Sequence, residues 1–323
     1  MVLRLFGERF LGWFKRASTP VPHLPIRPPV SEAKDFVSER PHWLNTVEFP
    51  FERRAFESAD GIMHYVDVGQ GRPIVFIHGS PTWSFLYRKL IENLSSDFRC
   101  IAVDHLGLGL SQKPKTAEYS PAAHTRRLEA LINELGLRDV TVVGHDFGAS
   151  IGMDWAARNP DRFRDMVLFN SWLWSLHKSL VIRCVTQVAT SSLNLYWFRM
   201  LNPSPKFYLP ILFADEHNLP KWVQDQFQGA FNNQFETYCP EAFARAMTAR
   251  DGWFESVAER FSALNRPCLI LWGADDRTYG EDALARMQAV LPNAATVPLL
   301  GVGNYVPEEA PRLSIQHIRA FIT

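Results

Sequence analysis

The chain has 323 residues, 46% of them hydrophobic, and its 34 Lys plus Arg balance its 34 Asp plus Glu to a formal net charge of zero. That balance supplies no field to draw in DNA, RNA or an acidic surface, so nucleic acid is not an expected partner. The length suits one large α/β domain carrying an insertion, or two modest domains. The four cysteines, Cys100, Cys184, Cys239 and Cys268, have no CxxC and no metal-ligand spacing. They read as free thiols in a reducing cytoplasm, with no metal and no cofactor expected.

No run reaches the ~18 apolar residues that a spanning helix needs. The start, MVLRLFGERFLGWFKRAS, has another pattern. Val2, Leu3, Phe6, Phe10, Trp13 and Phe14 fall on one helical stripe, with Arg4, Glu8, Lys15 and Arg16 off it. A signal peptide would need an uninterrupted apolar centre and a small-residue cleavage site, and neither is there. The plain reading packs this helix on its own domain. The sharper readings make residues 1–18 a peripheral membrane contact or a homo-oligomer contact. They are favoured because the Pro-rich stretch from Pro20 to Pro29 separates the helix like a linker.

From Phe51 onward, strands and helices alternate. Arg53 to Ser58 and Ile62 to Val68 predict a hairpin about Asp60-Gly61. PIVFI, from Pro73, is a short apolar run that predicts a buried strand, and Trp83 to Leu94 a helix. Cys100 to Val103 predicts the second buried strand, Pro121 to Leu135 a helix, and Val140 to Val143 the third strand. A helix from Ala149 to Arg158 and a fourth strand from Met166 to Phe169 follow. Repeated strand–helix units imply a parallel, doubly wound sheet. The rhythm stops over 172–264, which is rich in aromatics and helix formers. It resumes with PCLILW from Pro267, a helix from Glu281 to Val290, a strand from Ala295 to Leu300 and a last helix from about Pro311. The organisation expected is an N-terminal helix and linker over 1–46, a core in two parts over 47–171 and 265–323, and a helical cap inserted over 172–264.

Gly144-His145-Asp146-Phe147-Gly148 follows VTVV and opens a helix, the context of a nucleophile elbow. The two glycines relieve collisions in a turn so tight that its central residue is strained. That residue is Asp146, where Ser is usual. A carboxylate attacks saturated or strained carbon and forms an alkyl-enzyme ester. The plain alternative is that Asp146 only caps the next helix. His78-Gly79-Ser80-Pro81, directly after PIVFI, can aim the Ser80 N–H at the site. With the Phe147 N–H it would complete an anion hole. Trp272-Gly273-Ala274-Asp275-Asp276 puts two acids at the C-terminal end of a strand, where open α/β sheets place their sites. Asp276 is the preferred catalytic acid and Asp275 the loop residue.

HGSPTWSFLYR, VDHLGLGLSQKP, GHDFGASIGM, WGADD and NYVPEEAP together resemble the haloalkane dehalogenase family of α/β-hydrolases, over about Val47 to Thr323. Epoxide hydrolases and the β-lactone decarboxylases of olefin biosynthesis are close relatives. The resemblance implies the α/β-hydrolase fold, a helical cap, an Asp nucleophile, an acid and a His base acting on a small apolar substrate. Asp146 matches the nucleophile and Asp276 the acid of one branch. The other branch's acid position holds Asn170-Ser171.

Three positions depart from the pattern. The family usually has Trp after the nucleophile to hold the leaving halide, and here Phe147 has no donor. Many members have Asn or Glu after HG as a second halide contact, and here it is Ser80. The position of the catalytic His, before the aromatic of Asn304-Tyr305, holds Asn304. Water needs a base with a near-neutral pKa to clear the ester, and an amide is not one. Either a replacement traps the intermediate or the natural protein lacks the base. His317 reads as structural, and the His145 side chain is expected to point away from the pocket.

Among the aromatics of the insertion, including Tyr196, Trp197, Phe198, Trp222, Phe227 and Phe231, most should be core. Trp172 or Trp174, at the mouth of the sheet, is expected to line the pocket. Tyr196, Tyr208 and Tyr238 are available to protonate an epoxide oxygen, with no spacing that singles out a pair. The functions in play are a dehalogenase-like hydrolase, an epoxide or β-lactone enzyme, and a non-catalytic binding or assembly protein on the same scaffold.

Overall fold

The computed structural model describes residues 33–190, 206, 208–231 and 237–323. The N-terminal amphipathic segment, the Pro-rich linker, and Tyr196, Trp197 and Phe198 lie outside the described residues. No helix of the described residues is long and apolar enough to cross a membrane.

Eight strands form one sheet in the order β1-β2-β4-β3-β5-β6-β7-β8. They are β1 (Arg54–Ser58), β2 (Gly61–Val68), β3 (Pro73–Ile77), β4 (Arg99–Val103), β5 (Val140–His145), β6 (Phe163–Phe169), β7 (Cys268–Gly273) and β8 (Ala295–Leu299). The hairpin β1–β2 is antiparallel, β2 pairs antiparallel with β4, and every later pairing is parallel. Apolar runs such as PIVFI and VTVVGH lie in the middle because helices cover both faces there. Ile74 to Ile77 and all of β5 are buried.

The α-helices of four or more residues are α1 (Ala33–Ser38), α2 (Arg88–Leu94), α3 (Pro121–Glu134), α4 (Phe147–Arg158), α5 (Leu180–Thr190), α6 (Lys221–Gly229), α7 (Tyr238–Met247), α8 (Trp253–Ser262), α9 (Glu281–Val290), α10 (Val306–Glu309) and α11 (Pro311–Ile322), with a single α-helical turn at Leu209–Ile211. Ser120 caps α3 by accepting from the Ala123 N–H at 3.2 Å, with Pro121 in the first turn. The region from Trp172 to Leu264 holds helices and no strand among its described residues. Its last helix, α8, packs on α4, with Arg260 on Asp154 at 2.7 Å and Phe261 against Phe163.

One helix differs from expectation. Trp83 to Leu94 is not continuous: a 3-10 turn, Ser84–Tyr87, precedes α2. The cause is tertiary. The Ser84 N–H donates to Asp104 Oδ1 at 2.7 Å and the Tyr87 hydroxyl to the Ile77 carbonyl at 2.9 Å, which pulls the first turn onto the ends of β3 and β4. Cys100, Cys184, Cys239 and Cys268 are all free thiols.

Candidate active site

The turn between β5 and α4 carries Asp146 at φ 56° and ψ −132°, a region that side chains rarely occupy. Such strain, of order ~1–3 kcal/mol, persists where the surroundings over-determine it. Here they do. The Asp146 N–H donates to the Asn170 carbonyl at 3.1 Å and Ser171 Oγ to the Asp146 carbonyl at 2.8 Å. A Cβ on Gly148 would stand 2.0 Å from the Ile77 carbonyl oxygen, and one on Gly79 would stand 2.2 Å from Asp146 Oδ1. Only glycine lets β3 and its loop approach the elbow this closely.

That approach puts two backbone donors on one oxygen. Asp146 Oδ1 accepts from the Phe147 N–H at 2.7 Å and the Ser80 N–H at 3.2 Å. No donor among the described residues bonds Oδ2. Burial pushes the Asp146 carboxyl up to about 7, with the Asp276 charge adding to the rise, against the pull of the two N–H groups.

Asp276 and Asn304 meet at the neighbouring strand ends. Asp276 is buried; its Oδ2 accepts from Asn304 Nδ2 at 2.8 Å and Asn170 Nδ2 at 2.7 Å, and its Oδ1 from the N–H groups of Thr278 and Tyr279. Burial raises its pKa above the usual carboxylate range. Asp275 instead is exposed and accepts from the Gly301 N–H at 2.8 Å. Asn170 ties β6 to β7, since its Oδ1 also accepts the Gly273 N–H at 2.8 Å.

The His145 side chain is directed at Asn304 and Tyr305. It is buried, with Nε2 3.0 Å from Asn304 Oδ1 and 3.1 Å from the Asn304 carbonyl. Both are acceptors, so Nε2 carries the hydrogen. Burial holds its pKa down at about 4, and the ring is neutral. Nδ1 has no partner.

The wall beside the elbow is aromatic. Phe147 stacks on Phe243 with centroids 4.2 Å apart and meets Trp172 edge-on at 4.9 Å. Trp172 stacks in turn on Tyr279 at 4.9 Å. Trp174 turns elsewhere, with the Arg286 guanidinium 4.2 Å above its ring. Tyr208 shares a hydrogen bond with the Thr278 side chain and, like Tyr279 and Tyr305, is close enough to Asp146 and Asp276 for their charges to raise its pKa, after burial. Sequence reading considered Tyr208 and passed over Tyr279 and Tyr305. Their place beside WGADD and Asn304 was the available signal. Among the described residues no cluster of His, Cys, Asp and Glu is arranged to hold a metal ion.

This sheet, elbow and strand-end acid define the class. The chain belongs to the family described as alpha/beta hydrolase fold, which matches residues 72–311. Within that class it is a hydrolase of the haloalkane dehalogenase type. It is 32% identical over 274 residues to haloalkane dehalogenase 2 of Mycobacterium tuberculosis, covering 81% of this chain and 92% of that protein. It is 29% identical to a cis-3-alkyl-4-alkyloxetan-2-one decarboxylase of Shewanella oneidensis, covering 85% and 89%. The crystal structure of the haloalkane dehalogenase DatA from Agrobacterium tumefaciens superposes with a TM-score of 0.73 at 26% identity, covering 83% of this chain and 94% of that one.

Proposed function

We propose that Asp146 is the nucleophile of a site that alkylates itself on a small apolar substrate. The observation that carries this reading is the division of labour within one carboxylate: Oδ1 is held by two backbone N–H groups, while Oδ2 has no donor among the described residues. Oδ2 attacks a saturated carbon, a carbon–oxygen bond to the enzyme forms, and the leaving group departs with the electron pair of the broken bond. Ser80 and Phe147 supply the anion hole. Phe147, Phe243 and Trp172 make an apolar wall for the alkyl part.

Hydrolysis of the ester is the slow half. Asn304 occupies the position from which a base would activate water, its Nδ2 on Asp276 and its Oδ1 on His145. Neither an amide nor the Nε2–H of His145 removes a proton from water near neutral pH. The dehalogenase-type intermediate therefore persists.

A second reading is favoured by that same missing base. In a β-lactone, the substrate class in the name of the Shewanella oneidensis relative, Oδ2 would attack the ring carbon that bears the ring oxygen. The ring opens and frees a carboxylate. Loss of carbon dioxide then leaves an electron pair that forms the carbon–carbon double bond as the bond to Asp146 breaks. The products are an alkene, carbon dioxide and the free Asp146 carboxylate. No water and no base enter. An epoxide would form an ester but still need hydrolysis.

Intact-mass measurement with a bromoalkane, an epoxide and a cis-β-lactone, plus alkene detection, separates these readings. We expect a lasting adduct on Asp146 from the bromoalkane or epoxide. Alkene over many turnovers from the lactone establishes the second reading. No adduct and no product with all three would mean a binding or assembly protein.

A further inference from the structure

The segment of the insertion ending at Ala214 runs against the loop between β8 and α10 that bears Asn304. The Asn304 N–H donates to the Leu212 carbonyl at 2.9 Å. Gly303 lies so close that a Cβ on it would stand 2.4 Å from the Ala214 nitrogen. The rings of Phe213 and Tyr305 are 5.5 Å apart. Glu309, at the end of α10, reaches into this crossing. Its Oε2 accepts from the N–H groups of Ala214 at 2.9 Å and Gly303 at 3.0 Å, and its Oε1 from that of Tyr305 at 3.1 Å. No ion pair involves Glu309 among the described residues, and three backbone donors hold its charge. Its neighbour Glu308 turns the other way, to Arg88 and Lys89.

We propose that Glu309 is a positioning residue whose carboxylate latches segment 212–214 of the insertion to the loop carrying Asn304. Both sides of the latch bond one group, so they release together. Residue 304 is held against Asp276 while that segment is seated. The functional half of this inference rests on the roles proposed above for Asp146 and position 304. The latch itself does not.

Two measurements on the full chain test it, with E309Q as the isosteric variant and E309A as the deletion. The first is native-state hydrogen exchange, which needs no substrate. The amides of Ala214, Gly303 and Tyr305 should lose protection together by about ten- to hundredfold, the worth of hydrogen bonds to a charged group, with Asn304 following. Core amides of β5 should keep theirs. Exposure of the loop with Ala214 unchanged, or loss of protection everywhere, overturns the latch. The second compares Asn304→His with and without E309Q in single turnovers of a bromoalkane. Ester loss should slow by about tenfold or more while ester formation is unchanged, because only position 304 moves. Equal slowing of both steps overturns the positioning role. If no variant forms an ester, the reading of Asp146 fails and the exchange result alone decides the latch.

Discussion

His145 and Asn304, 159 residues apart in the chain, meet with the imidazole Nε2 3.0 Å from the amide Oδ1. The contact fixes both groups. Asn304 must turn its Nδ2 to Asp276, and His145 must present Nε2 as a donor, leaving its bare Nδ1 buried and without a partner among the described residues. That imidazole is thereby committed to holding the amide, and its low pKa keeps it neutral.

This arrangement is ready for an imidazole at 304. Asp276 Oδ2 already accepts from the Asn304 side chain at 2.8 Å, and His145 would keep the backbone carbonyl of 304 as a partner. We expect Asn304→His to speed ester loss from Asp146 by ~10²–10⁴-fold, the usual contribution of general base catalysis, without changing ester formation. The check is product release over many turnovers of a substrate shown to label Asp146. A parent as fast as the variant would show that no base is needed.

In the proposed reaction Asp146 attacks as the carboxylate, and burial raises its pKa to about 7. Labelling should therefore rise as pH rises through about 7 and level off above it. The linkage has the opposite sign for stability. A folded pKa above the unfolded value favours the fold below the unfolded pKa and loses that favour as pH rises through the folded one. Relative to Asp146→Asn, the parent should lose about 4 kcal/mol between pH 4 and pH 8, from the ~1.4 kcal/mol carried by each unit of pKa shift. Paired urea titrations at the two pH values check this, and Asp146→Asn should not be labelled at any pH.

Phe147→Trp tests the leaving-group argument. An indole N–H would supply the donor that Phe147 lacks. The ring sits 4.2 Å from Phe243 and 4.9 Å from Trp172, so the larger side chain should cost about 1–3 kcal/mol through overpacking. We expect faster labelling by a bromoalkane and no gain with a β-lactone, whose departing oxygen stays tethered to the substrate. Equal gains for both would place the benefit in the packing and not in the donor.

Glu308 anchors α10 to α2. Its Oε2 accepts from Arg88 Nη1 at 2.5 Å and its Oε1 from Arg88 Nη2 at 3.0 Å, with Lys89 also on Oε1 at 2.8 Å. Arg88 is 3% exposed, so Glu308→Ala leaves its buried charge with only the Glu48 carboxylate, 4.0 Å from Nε, as an ionic partner among the described residues. We expect a loss of about 3–5 kcal/mol in urea unfolding. Arg88→Met together with Glu308→Leu should recover most of it, because replacing both ions removes the poorly compensated buried charge.

Much of this protein was legible before folding was considered. The period and apolar runs of Pro73 to Ile77 and Val140 to Val143 mark strands buried on both faces. Gly144, Asp146 and Gly148 mark an elbow, because local steric rules leave few other residues in such a turn. Asp275 and Asp276 were expected at the end of a strand, and Asn304 stood out as an amide at the position that the resemblance gives to a His. Tertiary structure decided what those residues touch. It broke the helix expected from Trp83 into a 3-10 turn and α2 by drawing Ser84 to Asp104, and it turned His145 onto Asn304. It also brought Tyr279 and Tyr305 towards Asp146 and set Glu309 between the insertion and the loop. The physical reason is range. Strand period, turn strain and capping act between residues a few positions apart and leave a pattern in the chain. A hydrogen bond between His145 and Asn304, or between Glu309 and Ala214, joins positions with no periodic relation, and it exists only because the sheet order carries their loops to the same edge.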